Sequence, residues 1–143
     1  MTFKIFIDSD IILDVLSKRE PFYNSAAILF SLIEKGRIKG YSSSIIFSNV
    51  HYVLRKRISK DNTITSLKYL KSLLEVLPVD KRAIESALDS EFDNFEDAIQ
   101  YFCAEQNGIN YFITRNKIDY EKAQINILTA KEFLSMLHTL NIN

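Results

Sequence analysis

Three groups of polar side chains in this 143-residue chain fall where side-chain chemistry is usually placed. Asp8 and Asp10 end one apolar run, Ile5-Phe6-Ile7, and a second run begins at Ile11. Asp93, Glu96 and Asp97 open a segment with apolar residues at helical spacing, and Asn116 and Asp119 follow the short run Tyr111-Phe112-Ile113. Carboxylates brought close together cannot all remain ionised unless a cation offsets them. A hard divalent ion such as Mg²⁺ or Mn²⁺, which takes oxygen ligands and keeps several waters, is the natural partner. Such an ion activates water and stabilises the charge that grows on a phosphodiester during transfer. The chemistry therefore turns on whether the fold joins Asp8, Asp97 and Asp119. Each also has a simpler role: Asp8 can cap a helix, Glu96 and Asp97 suit a helical first turn, and Asp119 suits a loop.

The elements that must position these acids are legible from periodicity. Lys4–Ile7 is short, β-branched and aromatic, as in a strand buried on both faces. The next segment reads as a helix with Ile11, Ile12 and Val15 inward, which leaves Asp10 and Asp14 on a solvated face. Helices are expected over 24–34, ended by Gly36, from Ser43 or Ser44 to an end in Arg55-Lys56-Arg57, and from Asn62 or Thr63 to Leu74. Leu77-Pro78-Val79 suits an edge strand, because proline cannot donate to a sheet interior. Asp80 caps a helix over 81–88. Asp93 is the expected cap of the next, with Glu96 in the reciprocal position, and Gly108 ends it. Strands over 39–42, 111–113 and 125–128 and a last helix over 130–140 complete the series. Strands alternating with helices imply a parallel sheet covered on both faces, with right-handed crossovers. In such a sheet Asp8 and Asp119 lie at the carboxyl edge, and the helix holding Asp97 starts there.

Composition sets the limits. The length and an apolar content of 47% fit one domain spanning residues 1–143, with a core of its own. Formal net charge is zero, so there is no bulk basic signal for nucleic acid. The one local basic cluster is Arg55, Lys56, Arg57 and Lys60, which either steers RNA toward an acidic site or simply ends a helix favourably. A single cysteine excludes an intramolecular disulfide and, with no leader-like start, fits a cytoplasmic protein. No apolar run suits a membrane span. His51, His138 and Cys103 lack zinc-ligand spacing. There is no Gly-rich phosphate loop and no nucleophile–His–acid signature, which places a phosphatase of another α/β class last among the readings.

Four blocks in order carry a resemblance: Phe6-Ile7-Asp8-Ser9-Asp10-Ile11-Ile12-Leu13-Asp14 with Arg19-Glu20-Pro21-Phe22; Phe47 to Lys56; Phe95-Glu96-Asp97-Ala98-Ile99-Gln100; and Phe112 to Tyr120. Together they resemble the PIN domain of VapC-like toxins and related bacterial nucleases. The resemblance implies a three-layer α/β/α sandwich around a parallel sheet of four or five strands. It implies a Mg²⁺- or Mn²⁺-dependent ribonuclease, with an antitoxin partner and a homodimer as further expectations. Asp8, Asp97 and Asp119 match the metal-holding acids. Asn49 stands where many relatives carry a glutamate, and Asn116 where an acid is common. An amide oxygen can ligate an ion but adds no charge. Glu96 and Asp93 are candidates to supply the missing charge. Ser9 matches a small hydroxyl residue that donates to a ligand carboxylate or a phosphate, and it equally suits a helix start. Thr114 and Arg115 are candidates for phosphate contact, with Arg115 equally suited to an ion pair. The neutral Asn49 also keeps open a degenerate module that binds RNA or protein without cutting.

Overall fold

The computed structural model describes residues 2–140. Five strands form one parallel sheet: β1 (Lys4–Ile7), β2 (Lys39–Ser43), β3 (Leu74–Leu77), β4 (Tyr111–Ile113) and β5 (Asn126–Leu128), in the order β3-β2-β1-β4-β5. Seven α-helices among the described residues flank it: α1 (Ser9–Leu16), α2 (Tyr23–Glu34), α3 (Ser44–Arg55), α4 (Lys60–Leu73), α5 (Lys81–Leu88), α6 (Phe95–Gln106) and α7 (Ala130–Thr139). This is the α/β/α sandwich that the strand–helix alternation implies.

The period of two along a strand sorts the core into two faces. Phe6 of β1 stacks on Phe112 of β4, with ring centroids 5.0 Å apart, and Phe112 packs on Tyr120 at 4.5 Å. Phe92 joins Tyr120 to Tyr101 of α6, which places that helix on this face. Tyr111, one residue earlier in β4, packs instead on Phe3 and on Phe133 of α7. The three apolar residues Ile5, Phe6 and Ile7 are fully enclosed, as expected of a central parallel strand. Each gains about 2 kcal/mol from burial.

The chain order reverses at β1. From β1 the sheet grows one way through β2 and β3 and the other way through β4 and β5. The carboxyl ends of β1 and β4 therefore flank the crevice where open α/β sheets bind ligands. The register fixes what meets there: Ile7 pairs with Ile113, and the Asp8 N–H donates to the Ile113 carbonyl at 3.0 Å. Asp8 and Thr114 are thus the first residues beyond two adjacent strands.

Several boundaries differ from the sequence reading. β3 is an edge strand as expected, but it runs over Leu74–Leu77, and Pro78 lies just past it. Continuous apolar spacing carries the helical pattern past Leu73, where the strand takes over. Helix α4 begins earlier, at Lys60, because the Ser59 hydroxyl accepts from the Asn62 N–H. Asn94, not Asp93, caps α6, and its Oδ1 accepts from the Asp97 N–H at 3.0 Å. Asn and Asp are near-equal caps, so adjacent candidates are not separable from sequence. The shift moves the N3 position from Glu96 to Asp97. Asn94→Ala is expected to cost about 1 kcal/mol of stability, read by urea unfolding, because it releases the first turn that holds Asp97.

Candidate active site

Asp8 caps α1, accepts from the Ser9 N–H at 2.8 Å through Oδ1, and is only 8% exposed. Its Oδ2 lies 2.9 Å from the Thr114 hydroxyl and 3.4 Å from the Tyr120 hydroxyl. Burial, with the negative charge of Asp10 next in effect, pushes its pKa up to about 7. Asp8 thus caps the helix with one oxygen and turns the other toward Thr114 and Tyr120. Ser9 contributes its backbone N–H.

Asp10 and Asp14 are not on a solvated face. The Asp10 Oδ2 accepts from the Arg115 N–H at 2.9 Å and sits 3.3 Å from the Thr114 hydroxyl, while its Oδ1 is buried without a partner among the described residues. Burial raises its pKa. Asp14 is fully buried and held by two guanidinium groups. Arg115 donates to it through Nε at 2.9 Å and Nη2 at 3.1 Å, and Arg19 through Nε at 3.0 Å. Both acids are enclosed because the segment just past β4 brings Thr114 and Arg115 over them. That long-range pairing is invisible to helical periodicity. Arg115 also lies over the Phe22 ring, 3.8 Å from its centroid.

Asp97 enters from α6. Its Oδ1 is 3.2 Å from the Tyr120 hydroxyl, and its Oδ2 is buried without a hydrogen-bond donor among the described residues. Burial, then the neighbouring Asp119 carboxylate, pushes Asp97 up to about 6. Asp119 lies on a short 3₁₀ turn, Lys117–Tyr120, where the Asn116 side-chain amide donates to it. Tyr120 thus bridges Asp8 and Asp97, Asp119 neighbours Asp97, and Asp10 joins through Thr114.

The chemistry of these side chains bears on a divalent ion. The donor set consists of oxygens alone, two of them buried and orphaned, on acids whose ionisation is resisted by burial and by one another. That fits a hard cation. Among the described residues, however, no three His, Cys, Asp or Glu side chains stand ready around one point, and the Tyr120 hydroxyl lies between Asp8 and Asp97.

The PIN domain profile matches residues 4–118. The chain belongs to the PIN domain family. A ribonuclease named VapC1 from Aquifex aeolicus is 28% identical over 142 residues, spanning 96% of this chain and 97% of its own. DNA-bound VapBC from Salmonella typhimurium superposes with a TM-score of 0.69 at 19% identity, covering 90% of this chain and 99% of that one. VapC20 from Mycobacterium tuberculosis, described as a sarcin–ricin loop cleaving toxin, gives 0.60 at 16% identity, over 76% of this chain and 86% of its own. At these identities the structural likeness shows the fold.

The remaining sequence candidates of this PIN domain are spread more widely. Asn49 is exposed on α3 and makes no hydrogen bond to the acids among the described residues. Asp93 and Glu96 are exposed at the start of α6. Thr114 is fully buried, its hydroxyl occupied by carboxylates. Arg55, Lys56, Arg57 and Lys60 are exposed at the opposite end of α3 from Ser43, about 18 Å along the helix axis. There Arg55 donates to the Ile58 carbonyl and Lys56 lies over the Tyr52 ring. Sequence reasoning gave Tyr120 no role; its hydroxyl beside two acids follows only from the 3₁₀ turn. No described helix is long and apolar enough to cross a membrane.

Proposed function

We propose that this PIN domain is a divalent-metal-dependent endoribonuclease and the toxin of a toxin–antitoxin pair. The observation that carries the reading is the gathering of Asp8, Asp10 and Asp97 around buried Thr114 and Tyr120 at the sheet's switch point. Kinship to a VapC1 ribonuclease supports RNA as substrate, and the VapBC-like fold supports an antitoxin partner. A homodimer and a cytoplasmic setting belong to the same reading.

Asp8 and Asp97, with Asp119, would hold Mg²⁺ or Mn²⁺, and the ion would supply an activated water and offset charge on the scissile phosphate. The Ser9 N–H and the Thr114 hydroxyl keep the Asp8 carboxylate aimed. The Arg115 N–H fixes Asp10, and Asp14 fixes the Arg115 side chain beside Phe22. Asn49 would be a neutral ligand or a water-positioner, while Asp93, Glu96 and Asn116 would border the site.

The test is a labelled structured RNA incubated with Mn²⁺, Mg²⁺ or EDTA. Cleavage is expected with either ion and not with EDTA. Products should carry no 2′,3′-cyclic phosphate, because water rather than the 2′-hydroxyl attacks. Cyclic products, or cutting in EDTA, contradict the reading.

The neutral Asn49 favours one alternative, a module that binds RNA or a protein without cutting. Asn49→Glu distinguishes the two. On the nuclease reading it raises an existing cleavage rate several-fold at limiting Mn²⁺, because added charge strengthens ion binding. On the alternative it creates cleavage where none was present.

A further inference from the structure

The Tyr120 hydroxyl is 3.2 Å from Asp97 Oδ1 and 3.4 Å from Asp8 Oδ2, and the residue is 1% exposed. A phenol has one proton, so it can donate to only one of these two acceptors at a time. Its ring is fixed by Phe112 and Phe92, so the hydroxyl cannot swing away without moving the core. Thr114, the other buried hydroxyl here, reaches Asp8 and Asp10 but makes no hydrogen bond to Asp97 among the described residues. Tyr120 is therefore the side chain that spans strand β1 and helix α6 at the acids.

We infer that Tyr120 is a positioning residue that competes with the divalent ion: its hydroxyl stands between Asp8 and Asp97, satisfies them in part, and so sets how weakly the site takes up metal. The inference rests on the metal reading above. A hydroxyl that donates to a carboxylate lowers the free energy of the site without an ion and draws electron density from the same oxygens that would ligate one. Removing it leaves two crowded carboxylates with one donor fewer, and the ion becomes their best partner. Generic damage to a ligand's surroundings does the reverse and weakens metal binding by about 10–100-fold. The two roles thus predict opposite signs.

The experiment is calorimetric titration of Mn²⁺ into the full chain at pH 8, as wild type, Tyr120→Phe and Asp97→Asn, with thermal unfolding in EDTA as a folding check. Phenylalanine keeps the ring packing and removes only the hydroxyl. Tyr120→Phe is expected to bind Mn²⁺ about 10-fold more tightly than wild type, the size of one hydrogen bond to a charged group. Half-maximal cleavage should move to lower Mn²⁺ in step. Asp97→Asn should bind at least 10-fold more weakly. Unchanged or weaker binding by a folded Tyr120→Phe, with wild type binding normally and Asp97→Asn weakened, overturns the inference alone. A wild type that binds no Mn²⁺, or an Asp97→Asn that binds as wild type does, overturns the metal reading and the inference with it.

Discussion

Asp8→Asn is expected to reduce RNA cleavage by more than 100-fold while making the protein more stable in EDTA at pH 8. The loss of activity should exceed the 10–100-fold typical of groups that only support a metal ligand. The gain in stability follows from linkage. The Asp8 carboxyl moves from 3.8 to about 7 in the folded chain, so the folded state holds this proton more tightly than the unfolded one. Its penalty is absent below about pH 4, grows as pH rises, and is complete above about pH 7. A shift of that size is worth up to about 4 kcal/mol. Asparagine carries no such penalty but loses part of the hydrogen bonding from Ser9, Thr114 and Tyr120. A net rise of about 5 °C in thermal midpoint at pH 8, and none at pH 4.5, is expected from differential scanning calorimetry. A midpoint lowered equally at both pH values would contradict the account of Asp8 as a crowded, buried acid.

Asp14→Ala is expected to be the most destabilising single change near the site. Asp14 has no exposed surface and receives three charge-assisted hydrogen bonds, two from Arg115 and one from Arg19. Breaking a buried pair by removing one partner costs about 3–5 kcal/mol. Part of that is recovered here, because both arginines are about one-third exposed and can turn to water. A loss near 3 kcal/mol, or about 10 °C in midpoint, should be seen in EDTA and in Mn²⁺ alike. Asp14→Asn should lose less, because an amide oxygen still accepts from one guanidinium. Equal stability of Asp14→Ala and wild type would remove Asp14 as the anchor of Arg115.

The contrast between Asp8 and Asp14 shows what was legible in the sequence. Asp8 could be placed because an enclosed strand followed by a helix puts its next residue at the sheet's carboxyl edge, wherever the other strands go. Asp97 could be placed because a helix that leads into a parallel strand must start at that same edge. The five strands and the single sheet follow from the same alternation. The enclosure of Asp14 and Asp10 is not legible locally, because their surroundings are set by Thr114 and Arg115, about a hundred residues away. Local periodicity reports only the face a helix shows to its nearest apolar layer. Tyr120 escaped for a related reason: an aromatic residue after a loop acid reads as core, which its ring is, and only the turn geometry reveals where the hydroxyl points. Asn94 and Asp93 are neighbours with equal capping ability, and only tertiary packing chooses between them.

The proposed role of the acids at the β1–β4 crevice is to form a divalent-metal site that cuts RNA. It is tested most directly by Mn²⁺-dependent cleavage of one labelled structured RNA by wild type and Asp8→Asn, purified side by side. Cleavage by wild type is expected to disappear in EDTA, to return with Mn²⁺, and to be lost in the variant. Equal cleavage by the two proteins, or none by wild type across several structured RNAs at millimolar Mn²⁺, would contradict it.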